Sequence, residues 1–350
     1  MDKVFQLMVA KTRSSPRLKV RFGDHADIET VSTFIDQHWQ KGHVLAHDRE
    51  LLEHMFLESD GRMNFALAFD PLSDELIAML GYLPTDTSHS RISLSMWKAR
   101  PDAELRRYKA GFAVLKFILE QLKPKSIFSV GISPNTQAVY QFLGYSCNLM
   151  NHHVFINDQA IDFKILFNSG KPIASKLPKQ VANATVFPIK TEFDFQRFAQ
   201  RFNLAESKKD LDYLIHRYLN HPRFQYSVRE IIVDNETIGL MIFRRIFANS
   251  RSCIRIIDLI GGESCLEAAI RPLIEEMIAN GDEYIDLLSW GLDNHQVEDI
   301  GFYDCKDIPS CIVPEFFSPF SQTRIERWLF TNLPESEVFF KGDGDQDRPN

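Results

Sequence analysis

Cysteine is scarce in this chain, and long apolar runs are missing altogether. The 350 residues include five cysteines, Cys147, Cys253, Cys265, Cys305 and Cys311, an odd number at irregular spacing. None forms a Cys-x-x-Cys pair or has a matching pair of histidines, which excludes a disulfide scaffold and a zinc ribbon. Buried or incidental thiols in a reducing compartment are expected instead. No apolar stretch approaches the roughly 18–20 residues of a membrane-spanning helix. The start, Met1-Asp2-Lys3-Val4-Phe5, has no signal-peptide core. A cytoplasmic protein with no membrane partner is expected. Glycine and proline number only 16 each, which excludes collagen-like and low-complexity chains. Basic charge is not in excess: 40 Lys and Arg stand against 47 Asp and Glu, a formal −7, so no nucleic-acid partner is expected.

Apolar and aromatic residues, by contrast, are abundant. The hydrophobic share is 44% and phenylalanine alone contributes 28 residues, enough for a large core. At roughly 100–200 residues per domain, the length argues for two domains. Helical spacing of Ile28, Val31, Phe34 and Ile35 predicts a helix over 28–39, opened by Asp27; a second follows over 48–57. Strand-like runs cover 64–69 and 76–83, with Asp70-Pro71-Leu72-Ser73-Asp74-Glu75 supplying turn chemistry between them. Strand 92–97, helix 105–122, strand 126–132, helix 136–143 and strand 154–156 complete the first half. This order predicts an α+β fold, a mixed, mostly antiparallel sheet with one βαβ crossover.

After an irregular stretch the same element order restarts: helices at 194–202 and 208–219, strands at 226–233, 238–247 and 254–260, helix 263–280 and strand 284–289. The expected organisation is an N-terminal segment 1–17, a first domain 18–158, a linker 159–184, a second domain 185–333 of the same fold, and a disordered polar tail 334–350.

The chemistry-bearing motifs lie in the first half. Strand Ile92-Ser93-Leu94-Ser95-Met96-Trp97 leads through a loop to Arg106-Arg107-Tyr108-Lys109-Ala110-Gly111 at a helix start. Further on stands Ser133-Pro134-Asn135-Thr136-Gln137-Ala138-Val139-Tyr140, then Gly144-Tyr145. Here the sequence resembles the GNAT family of N-acetyltransferases, with its Gln/Arg-x-x-Gly-x-Gly/Ala loop and its later Asn…Ala-x-x-Tyr…Gly-Phe/Tyr segment. Arg106 and Gly111 match the ends of the loop, and Lys109 stands where the middle glycine is usual. Tyr140 follows Ala138 by two positions where the family usually has three.

The resemblance implies two GNAT-like domains and acetyl-CoA as acyl donor, with no metal. Backbone N–H groups at a helix N-terminus can hold a pyrophosphate, which implicates Arg106, Arg107, Lys109, Ala110 and Gly111. Met96, Trp97 and Lys98 would splay from the next strand and pair with pantetheine amides, and Asn135 would touch the pantetheine arm. The Tyr140 phenol (reference pKa about 10) would protonate the leaving thiolate (reference about 8.5). His43 and His47 lie where the family builds its acceptor site and are candidate bases; Asp48 either orients one of them or caps the following helix.

The second half departs from the pattern. Trp290-Gly291-Leu292-Asp293-Asn294 and Gly301-Phe302 match the later segment, yet no tyrosine stands at the leaving-group position, and Gly261-Gly262-Glu263 carries an acid where Arg is expected. It reads as a degenerate domain that either shapes the acceptor site or serves as scaffold. The expected function is acyl-CoA-dependent transfer to a small amine. A further likeness to acetyltransferase-like proteins of bacterial surface-polysaccharide pathways suggests an amino sugar, free or nucleotide-linked. Two alternatives stay open: a Fem-type aminoacyl-tRNA-dependent transferase, and a non-catalytic protein that binds CoA or a sugar nucleotide.

Overall fold

The computed structural model describes residues 18–102, 105–160, 162–170, 175–334 and 337–349. The expected N-terminal segment 1–17 lies outside the described residues. The chain forms two compact units, one of residues 1–147 with 330–334, the other of 148–329 with 335–350.

The first unit opens with β1 (Lys19–Asp24) and α1 (Ile28–Phe34), which continues as a π-helical turn to Trp39. A capping box starts this segment: the Asp24 carboxylate accepts the Ala26 N–H at 2.8 Å, and Asp27 accepts the Asp24 N–H at 2.9 Å. Helices α2 (Val44–His47) and α3 (Arg49–Phe56) follow, then strands β2 (Arg62–Phe69), β3 (Leu76–Pro84) and β4 (Arg91–Ala99). Helix α4 (Ala110–Leu122), β5 (Ser126–Ile132), α5 (Pro134–Phe142) and β6 (Ser146–Leu149) come next.

Along β2, Met63, Phe65, Leu67 and Phe69 join the buried cluster that also holds Ile28, Val31, Phe34, Leu51 and Phe56. Successive side chains of a strand point to opposite faces. Asn64, Ala66 and Ala68 therefore turn to the other face, where α4 lies across β1 to β4. Short alanines there let the helix approach the sheet closely.

The chain continues with β7 (Asn151–Ile156), β8 (Ala184–Ile189), α6 (Glu192–Ala199) and α7 (Leu211–Leu214), the last extended by a π-helical turn to Leu219. Strands β9 (Ser227–Val233), β10 (Glu236–Ala248) and β11 (Arg251–Ile260) precede α8 (Glu263–Asn280), β12 (Tyr284–Trp290), α9 (Asn294–Asp299) and β13 (Tyr303–Asp304). Last come β14 (Trp328–Thr331) and β15 (Phe339–Phe340). Helix α8 packs on one face of the second sheet, over a cluster with Met241, Phe243, Ile256 and Leu287. On the other face Phe195, Phe198, Leu214 and Tyr218 close over Leu240, Ile242 and Ile257.

The two sheets have the same order. One runs β1-β2-β3-β4-β5-β14-β6, the other β8-β9-β10-β11-β12-β7-β13, with β15 added at β12. In each, the strand next to last comes from the opposite half of the sequence. The strand expected at 154–156 thus exists, but it pairs with β12 and β13 in the second sheet, with Ile285 opposite Phe155 and Tyr303 opposite Val154.

Composition misled at the far end of the chain. Residues 337–349, expected to be disordered, are packed: Phe339, Phe340, Lys341, Asp343 and Asp347 are all buried. Their charges are neutralised by ion pairs inside the second unit, which a count of polar residues does not reveal.

Candidate functional site

The site is built where two parallel strands part. Strands β4 and β5 pair only at Arg91–Ser126, Ile92–Ile127 and Ser93–Phe128. Beyond Ser93 they separate, leaving a V lined by the main chain of both. A bulge in β4 sits at this opening. Met79 pairs with Lys98 and Gly81 with Ser95, so Met96 and Trp97 together face Leu80. Met96 takes φ +55°, a left-handed conformation that turns its peptide groups off the ladder. Its side chain is buried in the cluster with α1 and α3, whereas Trp97 and Lys98 are half-buried.

Trp97 ties the bulge to the helix that follows. Its indole Nε1–H donates to the Gly111 carbonyl at 2.8 Å, and its ring meets Phe112 edge-on at 6.1 Å. The ring also lies 5.5 Å from that of Tyr140. Tyr140 in turn stacks on Phe330 at 3.7 Å, and Phe330 on Tyr145 at 5.2 Å. Burial pushes the Tyr140 phenol well above the usual tyrosine value, with Tyr145 adding to the effect. Tyr140 is therefore neutral, a proton donor and not a phenolate, throughout the physiological range.

Helix α4 begins beside this aromatic row. Arg106 and Arg107 form a 3₁₀ turn with Tyr108, and Arg106 is exposed. Lys109 caps α4 with φ +48° and ψ +40°. That is the conformation a glycine adopts most easily, at the position where the GNAT loop has its middle glycine. As at any helix start, the first N–H groups of α4, those of Ala110 and Gly111, have no acceptor within the helix. A Cβ on Gly111 would meet Trp97 and Ala99 only at ordinary contact distance, so space does not demand glycine there. Asn135 is exposed in the first turn of α5.

The candidate bases sit apart from this row in the sequence and have local roles. His43 is buried and caps α2: its Nδ1 accepts the Leu45 N–H at 3.2 Å. His47 is exposed and pairs through Nε2 with Asp36 at 3.1 Å. Asp48 accepts the Leu51 N–H at 3.0 Å as the cap of α3, so it is Asp36, in the π-helical turn that ends the first helix, that faces His47. The backbone of Gly42 and the His47 ring hold the Asp36 carboxyl below its usual range.

Two partners of these candidate residues were not legible in the sequence. Phe330 enters through β14, some 190 residues from Tyr140, and Asp36 reads locally as a helix surface residue. Neither position carries a motif.

No family model matches the chain, and no curated protein does. Solved structures do match. A protein of Enterococcus faecalis V583 described as a probable N-acyltransferase aligns with a TM-score of 0.55 at 11% identity, covering 90% of this chain and 72% of its own. A GCN5-related N-acetyltransferase from Anabaena variabilis aligns with a TM-score of 0.53 at 16% identity, over the same shares. At such identities the likeness speaks for the fold. The chain has a GNAT-type α+β fold in two domains, each a mixed, mostly antiparallel sheet flanked by helices. Among the described residues no helix is long and apolar enough to cross a membrane.

Proposed function

We propose that the protein is an acyl-CoA-dependent N-acyltransferase whose donor, acetyl-CoA, binds in the first domain. One observation carries this reading: the V between β4 and β5 opens at the Met96–Trp97 bulge, next to a helix whose left-handed cap at Lys109 presents N–H donors. An extended amide chain fits such an opening by strand addition. A pyrophosphate fits the start of α4, with Arg106, Arg107 and Lys109 in the loop and Asn135 at the start of α5.

The acceptor amine attacks the thioester carbonyl directly. A C–N bond forms, the C–S bond breaks, and the thiolate takes the Tyr140 proton to leave as a thiol. Burial that raises the phenol raises a nascent thiolate beside it as well, so the transfer is not handicapped by the dry surroundings. The proton lost by the amine goes to a histidine base, His43 or His47. The acceptor in this reading is a small amine, with an amino sugar as the first class to try. The five free thiols favour a reducing, cytoplasmic setting.

Calorimetry with acetyl-CoA tests the donor site. Micromolar binding by the wild type, abolished by Arg106→Glu, is expected; equal binding by both would refute the placement. Tyr140→Phe should lower kcat about 100-fold with donor KM unchanged, the scale of a lost general acid.

A further inference from the structure

The second domain repeats the opening of the first. Strands β11 and β12 pair in parallel only at Ile254–Ile285, Arg255–Asp286 and Ile256–Leu287. A bulge follows there too: Ile242 pairs with Asp258 and Phe243 with Ile256, so Ile257 has no partner of its own. Here the opening is filled. Phe339 and Phe340 pair antiparallel with Trp290 and Ser289, on the edge of β12 that β11 has left. Gly342 then lies against the bulge. A Cβ at Gly342 would fall 2.7 Å from the Tyr218 hydroxyl and 2.9 Å from the Ile257 carbonyl, so no larger residue fits.

The side chains that follow are read by charge. Asp343 meets Lys209 at 2.9 Å, and Lys209 also holds Asp258 at 2.6 Å. Lys341 reaches Glu315 at 3.2 Å. Asp347 receives Arg244 at 2.8 Å and the Tyr226 hydroxyl at 2.7 Å, while Arg217 donates to the carbonyls of Gly344 and Asp347 at 3.1 and 3.2 Å. Burial opposes the Asp347 charge, but Arg244 holds its carboxyl far below the usual range. Without this segment buried Arg217 would lose the Gly344 and Asp347 carbonyls and half-buried Arg244 its carboxylate, a costly state.

We infer that the opening of the second domain is a groove for an extended acidic peptide, permanently supplied by residues 337–347, and that the protein carries one acyl-CoA site and not two. The segment takes the strand-addition place at the parted strands, and the carboxylates behind it saturate the cationic wall. The count of donor sites rests on the reading of the first domain given above; the occupied groove does not.

Two readouts on the full chain separate these claims. In hydrogen exchange, the amides of 339–347 are expected to be as protected as the central strands, and Gly342→Val to speed them at least tenfold while the first domain's strands keep their rates. Should Gly342→Val fail to fold, Asp347→Asn removes the carboxylate charge at constant shape and should speed the same amides. Wild-type amides exchanging at the rate of an unstructured peptide would overturn the groove. In calorimetry, acetyl-CoA is expected to bind at one per chain, with none after Arg106→Glu. Two per chain, or one that survives Arg106→Glu, would overturn the inference. No binding at all would sink the acyltransferase reading and leave the exchange result to decide the groove.

Discussion

Lys109 holds a backbone conformation that a side chain resists, at a cost of roughly 1 kcal/mol. Lys109→Gly is therefore expected to keep the fold and raise stability by about 0.5–1 kcal/mol in thermal melts, with acetyl-CoA binding weakened only by the lost charge. A second residue contributes to pH dependence. His153 on β7 is fully buried, with neither ring nitrogen hydrogen-bonded among the described residues, and burial pushes its pKa down to about 4. Asp304 and Asp307 pull it up and His152 and Lys306 down, but burial dominates. In the unfolded chain the ring binds its proton near pH 6.5. Between about pH 4 and 6.5 the unfolded state thus holds more protons, and stability must fall as pH falls through that window, by at most about 3 kcal/mol. Denaturant titrations at pH 7 and pH 5 should show the loss, and His153→Leu should reduce it, leaving the share of His221, whose pKa burial lowers to about 3.

At the scale of elements, the bulge in β4 depends on its neighbour β3. Gly81 pairs with Ser95, one residue before the bulge, and its missing side chain lets the Phe65 and Phe56 rings close in. A Cβ there would stand 2.8 Å from Phe65 and 3.0 Å from Phe56, both buried rings in a packed cluster. Gly81→Ala is expected to cost about 1–3 kcal/mol by overpacking, read as a lower denaturant midpoint at unchanged slope. Elements with strong local signals were legible. The helix at 28–39, the Asp70–Asp74 turn and the helix starting at Glu263 stand where periodicity and turn chemistry put them. Within the candidate site, the loop at Arg106–Gly111 and the segment at Asn135–Tyr140 were readable because glycine, proline and helix-start residues act locally. Met96's left-handed bulge was not, since it arises from pairing with β3.

At the scale of the whole molecule, the decisive feature is the exchange of strands β7 and β14. Residues 18–158 by themselves lack β14, and with it Phe330 under Tyr140 and the Asn332 side chain that accepts the Ile127 N–H at 2.8 Å. A fragment of residues 18–158 is therefore expected to show no cooperative thermal transition by circular dichroism, while the full chain does. A folded fragment with a sharp transition would refute the dependence. Sequence alone determined the α+β class, the repeated element order and the residues at the start of α4, because period, caps and turns are properties of neighbours along the chain. Which sheet β7 and β14 join, and that residues 337–347 fill the second opening, only the tertiary structure decided. A strand's pattern tells which of its faces is buried but not whose backbone it pairs with, and a run of acidic residues looks solvated until the buried cations that hold it are in place.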